Sequence, residues 1–116
     1  GVGEASSTMN YLKANQLDRL IVSLQQPVLG ICLGMQLMCA HSEENDTPCL
    51  GIFPQTVKRF IPTSEQKVPH MGWNTLTQCR DWFGATLEGK YVYYVHSYYV
   101  PVNEMTVAAT DYLAPF

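Results

Sequence analysis

The segment Pro27-Val28-Leu29-Gly30-Ile31-Cys32-Leu33-Gly34-Met35-Gln36 constrains this chain more than any other. Its short apolar run, Val28 to Cys32, is bounded by proline and glycine and suits a strand buried on both faces, as parallel strands are. Apolar residues resume at Met35, Leu37, Met38 and Cys39, which predicts a mostly buried helix to about His41. Between the two lies Gly30-Ile31-Cys32-Leu33-Gly34, the G-x-nucleophile-x-G form of a nucleophile elbow. In an elbow the nucleophile occupies a strained backbone conformation between strand and helix, and the neighbouring glycines prevent side-chain clashes. The order helix, strand, tight turn, helix indicates an α/β fold.

The chemistry follows from the bend. A thiol at a helix N-terminus meets unpaired amide groups and the helix dipole, both of which favour the reactive thiolate. The amide of Leu33, the residue after the nucleophile, faces the oxygen of a tetrahedral intermediate and provides half an oxyanion hole. The competing reading of Cys32 is a small buried hydrophobe between a strand and a helix.

Upstream, Ser6, Ser7 and Thr8 offer N-cap hydroxyls, and Met9, Leu12 and Tyr11 are candidates for the apolar face of a helix ending near Asn15. Asp18 can cap a second helix carrying Leu20, Ile21 and Leu24, which Pro27 stops. Downstream, residues 56–61, 67–70, 75–77, 91–100 and 105–110 read as short extended pieces with turn residues between. The predicted fold is therefore an open, mainly parallel α/β sheet with helices on both faces and a small antiparallel or mixed extension. Residues 1–116 read as a single domain, because no linker or low-complexity tract separates the halves.

With 116 residues and 47% hydrophobic composition, the chain is long enough for one real core. Seven basic against ten acidic residues leave no electrostatic footprint for a phosphate backbone, so nucleic acid is not an expected partner. No apolar run approaches a membrane span and no secretory segment opens the chain, so no membrane and a cytoplasmic location are expected. Cys32, Cys39, Cys49 and Cys79 lie too far apart for a CxxC metal knuckle and read as reduced thiols, with no metal or organic cofactor implied. Cys39, two helical turns after Cys32, reads as core rather than as a resolving thiol.

The longer string GICLGMQ, residues 30–36, resembles the nucleophile segment of the class I glutamine amidotransferases. Gly1-Val2-Gly3-Glu4 resembles a second motif of that family. VPHMGWN, residues 68–74, and Tyr94-Val95-His96-Ser97-Tyr98 resemble its histidine-biosynthesis branch, the glutaminase subunits of imidazole glycerol phosphate synthase. The resemblance runs from Gly1 to Phe116. It implies a flavodoxin-like fold and hydrolysis of glutamine to glutamate and ammonia, with Cys32 attacking the carboxamide to form a glutamyl thioester. It further implies that Gln36 and the backbone around Ser97 and Tyr98 contact the amino-acid end of the substrate. Val2 and Gly3 belong to the substrate and oxyanion region, which reorients before the hole is formed. Trp73, Asn74 and, less directly, Tyr93 face a partner, a (β/α)₈ cyclase that receives the ammonia and forms a heterodimer with the glutaminase.

Histidine is the usual proton carrier for a thiol nucleophile, and His41, His70 and His96 are the candidates. The resemblance argues against all three, because the family's histidine and glutamate occur in an HPE motif near the C-terminus, which this sequence lacks. The sequence also lacks the elements that normally precede the glycine motif, and is expected to be incomplete at both ends and inactive alone. His96 is then expected to shape the pocket, and His70 to order a turn or contact the partner face. His41 suits the C-terminal dipole of the helix after the elbow. Three rivals remain: a glutaminase of another pathway, such as anthranilate or purine synthesis; a non-catalytic binding module retaining the elbow; and another cysteine hydrolase using His96.

Overall fold

A computed structural model describes residues 2–84 and 86–116, so Gly1 of the glycine motif lies outside the described residues. The chain forms two compact units, Gly1–Arg59 and Phe60–Phe116.

The first unit opens with helix α1 (Ala5–Ala14) and helix α2 (Leu17–Ser23), joined by Gln16 in the left-handed region. The serines do not cap α1. Glu4 does, its carboxylate accepting the backbone N–H of Ser6 at 2.7 Å and of Ser7 at 2.8 Å. It also accepts from the Asn45 side chain at 2.8 Å, while Glu44 accepts the N–H of Ala5 at 2.8 Å. A carboxylate reaches two orphan amides at once where a hydroxyl serves one, and the helix dipole favours its charge. Helix α3 (Leu33–Met38) follows the elbow, then strand β1 (Cys39–Ser42), a 3₁₀ turn (Glu44–Asp46), strand β2 (Thr47–Pro48) and strand β3 (Phe53–Arg59). β1 lies between an antiparallel β2 and a parallel β3, with a register irregularity between Cys39 and His41. Ala5 and Met9 of α1 pack on Leu33 and Leu37 of α3, with Leu12, Cys49 and Leu50 closing the cluster. These are i, i+4 and i+7 positions on α1, so one helical stripe serves the whole contact.

Two expectations are corrected here. Residues 28–31 form no strand and are not buried: Leu29 is 79% and Ile31 64% exposed. Apolar composition suits a run to a strand but does not by itself supply the paired ladder that makes one. The helix after the elbow stops at Met38 rather than His41, because Cys39–Ser42 pairs with β3.

In the second unit, strand β4 (His70–Thr75) and strand β5 (Tyr91–His96) form an antiparallel ribbon in unbroken register from His70↔His96 to Thr75↔Tyr91. The unit also holds the short strands β6 (Tyr98–Tyr99), β7 (Asp111–Tyr112) and β8 (Ala114–Pro115), none of them in the ribbon, with β7 pairing antiparallel with β8. Residues 105–110, expected as extended, contribute only a bridge from Ala109 to Thr77. Among the described residues no helix is long and apolar enough to cross a membrane.

Hydrogen bonds from Ser7 N–H, Ser6 N–H and Asn45 hold the Glu4 carboxyl down at about 2. Its folded value is thus below its unfolded one, so its stabilisation is complete above about pH 4.5 and is lost as pH falls toward 2. E4Q is therefore expected to lower the urea midpoint at pH 7, with the gap to the parent protein narrowing steadily between pH 4.5 and pH 3. A gap independent of pH would show that the charge of Glu4 is not what matters.

Candidate active site

Cys32 stands at φ 53°, ψ −116°, immediately before α3, with no side-chain capping bond and with its side chain exposed. The positive φ is the backbone strain expected at this turn; a non-glycine residue in such a region costs about 1–3 kcal/mol and persists only where its surroundings hold it. Two backbone bonds do so: Gly34 N–H to Ile31 O at 3.0 Å and Gln36 N–H to Cys32 O at 3.1 Å.

The two glycines serve different ends. A β-carbon on Gly30 would lie 2.8 Å from the backbone nitrogen of Met35 and 2.9 Å from the carbonyl carbon of Gly34, so only glycine lets the chain pass this close to α3. At Gly34 a β-carbon would meet open space, which corrects the expectation that both glycines relieve clashes within the chain. G30A should therefore destabilise the protein by about 1–3 kcal/mol through overpacking against rigid backbone. G34A should fold, and gain up to about 1 kcal/mol of helix stability. Denaturation midpoints of the two variants check this contrast, which an equal loss in both would refute.

Gly3, at φ 146°, sits against the elbow helix: a β-carbon there would lie 3.2 Å from Leu33 Cδ2. Two residues proposed for the oxyanion region from distant parts of the sequence, Gly3 and Leu33, are thus neighbours in space, and Val2 beside them is exposed. The Leu33 amide belongs to the first turn of α3, where an N–H has no intrahelical acceptor. Gln36 is 6% exposed and shares the inward face of α3 with Leu33 and Leu37.

The other cysteines are poor competitors. Burial pushes the Cys39 thiol up to about 11, and Cys49 is raised for the same first reason. Cys79 is raised by desolvation and by a hydrogen bond with Glu88. His41 lies in β1 rather than at a helix end and meets Asp46 at 2.9 Å on an exposed turn.

In the second unit, Ser97 and Tyr98 follow β5 directly. The Ser97 carbonyl accepts the N–H of Phe60 at 3.0 Å, and the Tyr98 carbonyl is 2.9 Å from His96 Nδ1. His70 Nδ1 and His96 Nε2 are 2.9 Å apart, in a nest of aromatic rings: Tyr94 and Tyr112 stack on His70 with centroids at 4.9 and 4.0 Å, and Phe60 and Phe116 meet His96 at 5.2 and 4.8 Å. Burial lowers both imidazoles from their ordinary range, and His96 lowers His70 further. Their neutral forms therefore stabilise the fold above the ordinary histidine range, and that contribution declines as pH falls below it. His70 is 4% exposed, so it orders the ribbon from within and is not on an outer face. No residue pattern pointed to this pair; its only sequence signal is that each histidine closes one end of a strand.

The opposite face of the β4–β5 ribbon is apolar and open. Trp73, 69% exposed, meets Tyr93, 53% exposed, edge to face at 5.5 Å, with Met71, Val95 and Tyr91 exposed beside them. Asn74 points to the other side. Its amide donates to Asp111 O at 3.1 Å and its oxygen accepts Thr75 N–H at 2.8 Å, the two-residue alternation of a strand setting it on the side of the ribbon away from Trp73.

Residues 1–112 match the family described as glutamine amidotransferase class-I. The chain is similar to imidazole glycerol phosphate synthase subunit HisH of Bacteroides thetaiotaomicron, 59% identical over the whole chain and 60% of the relative. It is likewise 59% identical, over the same shares, to the subunit of that name from Bacteroides fragilis strain YCH46. With that of Xylella fastidiosa strain Temecula1 it shares 46% identity over 97% of the chain and 57% of the relative. The chain thus spans about 60% of the length of the first curated relatives it matches.

Proposed function

The chain belongs to the class I glutamine amidotransferase family, and on that premise we propose that it carries the nucleophile of a glutaminase that feeds ammonia to the cyclase subunit of imidazole glycerol phosphate synthase, in histidine biosynthesis in the cytoplasm. The observation that carries this reading is the exposed Cys32 on left-handed backbone at the elbow, with Gly3 packed beside Leu33.

The Cys32 sulfur attacks the carboxamide carbon of glutamine, and negative charge moves to the carboxamide oxygen. The Leu33 amide and the backbone at Val2 and Gly3 stabilise that oxygen; donors fixed in advance are worth most where charge develops. Collapse breaks the C–N bond, the proton given up by the Cys32 thiol passes to the departing nitrogen, and ammonia leaves a glutamyl thioester behind. Water then attacks the thioester, releasing glutamate and restoring the thiol. Splitting the reaction in two replaces one high barrier by two lower ones. The family resemblance assigns Gln36, and the backbone at Ser97 and Tyr98, to the amino-acid end of the substrate. No metal or organic cofactor enters this chemistry.

In the full gene product with its cyclase, glutamate formation is expected to fall by a factor on the order of 10³ or more in C32S. A glutamine-like chloroketone should label Cys32 alone, and glutamine should protect it. Labelling of Cys49 and Cys79 at an equal rate, unprotected by glutamine, would instead favour a binding module that keeps the elbow as fold geometry.

The Trp73–Tyr93 face is the proposed dock for the (β/α)₈ cyclase. Exposed aromatic pairs rimmed by polar residues mark interfaces more often than bare surface. W73A should weaken cyclase binding by about 1–3 kcal/mol, roughly 5- to 150-fold, as truncated aromatic anchors do. Titration calorimetry reads this directly, and unchanged affinity in the W73A/Y93A double variant would place the dock elsewhere.

A further inference from the structure

The His70–His96 pair has only one arrangement of protons consistent with its neighbours. The Tyr98 carbonyl can only accept, so His96 Nδ1, 2.9 Å away, carries hydrogen. Neutral His96 then has a bare Nε2, and the hydrogen of the 2.9 Å contact belongs to His70 Nδ1. That leaves His70 Nε2 as an acceptor facing the amide nitrogen of Asn74 at 3.5 Å. The Asn74 amide is itself oriented by two backbone groups, its oxygen taking Thr75 N–H and its nitrogen giving to Asp111 O. A directional chain therefore runs from Asn74 through His70 and His96 to the carbonyl of Tyr98.

Plain packing does not account for where this chain ends. Aromatic rings on every side would accept an apolar side chain at either histidine, and a buried polar pair is costly unless fully satisfied. Its terminus is the carbonyl of Tyr98, two residues beyond His96. Together with the bond from Phe60 N–H to Ser97 O, it fixes the planes of two consecutive peptides, those following Ser97 and Tyr98.

We propose that His70 and His96 are positioning residues for glutamine, holding the Ser97–Tyr98 backbone in the orientation that receives the substrate's amino-acid end. This rests on the glutaminase reading above. Neither ring acts as the base: His96 spends both nitrogens on Tyr98 and His70.

The two nitrogens of each ring can be separated by substitution. Asparagine at position 96 keeps an N–H donor near the place of Nδ1, whereas glutamine places its amide near Nε2. In the full gene product with its cyclase, H96Q is expected to raise the glutamine KM about five- to tenfold, the cost of one lost hydrogen bond, with kcat changed less than about threefold. H96N should restore KM to within about threefold. In a C32S background, glutamine binding by calorimetry should show the same order, H96N tighter than H96Q. Should H96Q fail to fold, the pair H70N, which retains the donor toward His96, and H70Q, which does not, carries the same contrast. Equal KM and equal glutamine affinity in the N and Q variants overturn the positioning role alone. A kcat loss in H96N matching that of C32S would also overturn it, by making His96 the base. Absence of glutamine binding and turnover in the unsubstituted protein would sink the glutaminase reading, and this inference with it.

Discussion

Everything at the elbow depends on the backbone of Cys32 being held where a side-chain-bearing residue does not willingly sit. The cost of about 1–3 kcal/mol is offset by the bonds closing the turn and by the seat of Gly30 against the first turn of α3. What the strain achieves is presentation: the thiol stands exposed at the start of a helix instead of lying along it. Remove the close approach at Gly30 and the turn must open, taking with it the relation between the sulfur, the Leu33 amide and the Gly3 backbone.

Polar side chains hold backbone in place in both units, by the same device. In the first unit Glu4 and Glu44 take the free amides at the start of α1, just after Gly3, so the segment that would complete an oxyanion hole is tethered on its helical side. In the second, His96 takes the carbonyl of Tyr98. In each case a side chain satisfies a backbone group adjacent to a proposed substrate contact. Rigid support of this kind is what lets a site be aimed at a transition state and not merely at a substrate.

The elbow was legible because it is local: five residues state both the strain and the glycine that permits it. Exposure of Trp73 and Tyr93 was expected from motif resemblance, and the ribbon explains it, since the two are register partners whose side chains share a face. Asn74, one residue along, lies on the other side of the ribbon by the same alternation. The Glu4 cap was missed because three hydroxyls follow it, and nothing local says that a carboxylate with a partner at Asn45, far along the chain, wins. Strand β1 was hidden after a run of Met and Cys residues with no clear period, and its pairing with β2 and β3 is what makes it extended. Residues 28–31 failed in the opposite sense, strand-like in composition yet exposed.

The amino-acid sequence by itself determined the strained turn at Cys32, the glycine that lets it close and the apolar stripe of α1, because each follows from the properties of residues within a few positions of one another. Only the tertiary structure decided that Gly3 lies against Leu33, that Trp73 and Tyr93 share an exposed face with Asn74 on the other side, and that two histidines 26 positions apart come within 2.9 Å. Those depend on strand register and on long-range hydrogen bonds, whose partners are chosen by closure of the whole unit and not by any segment within it.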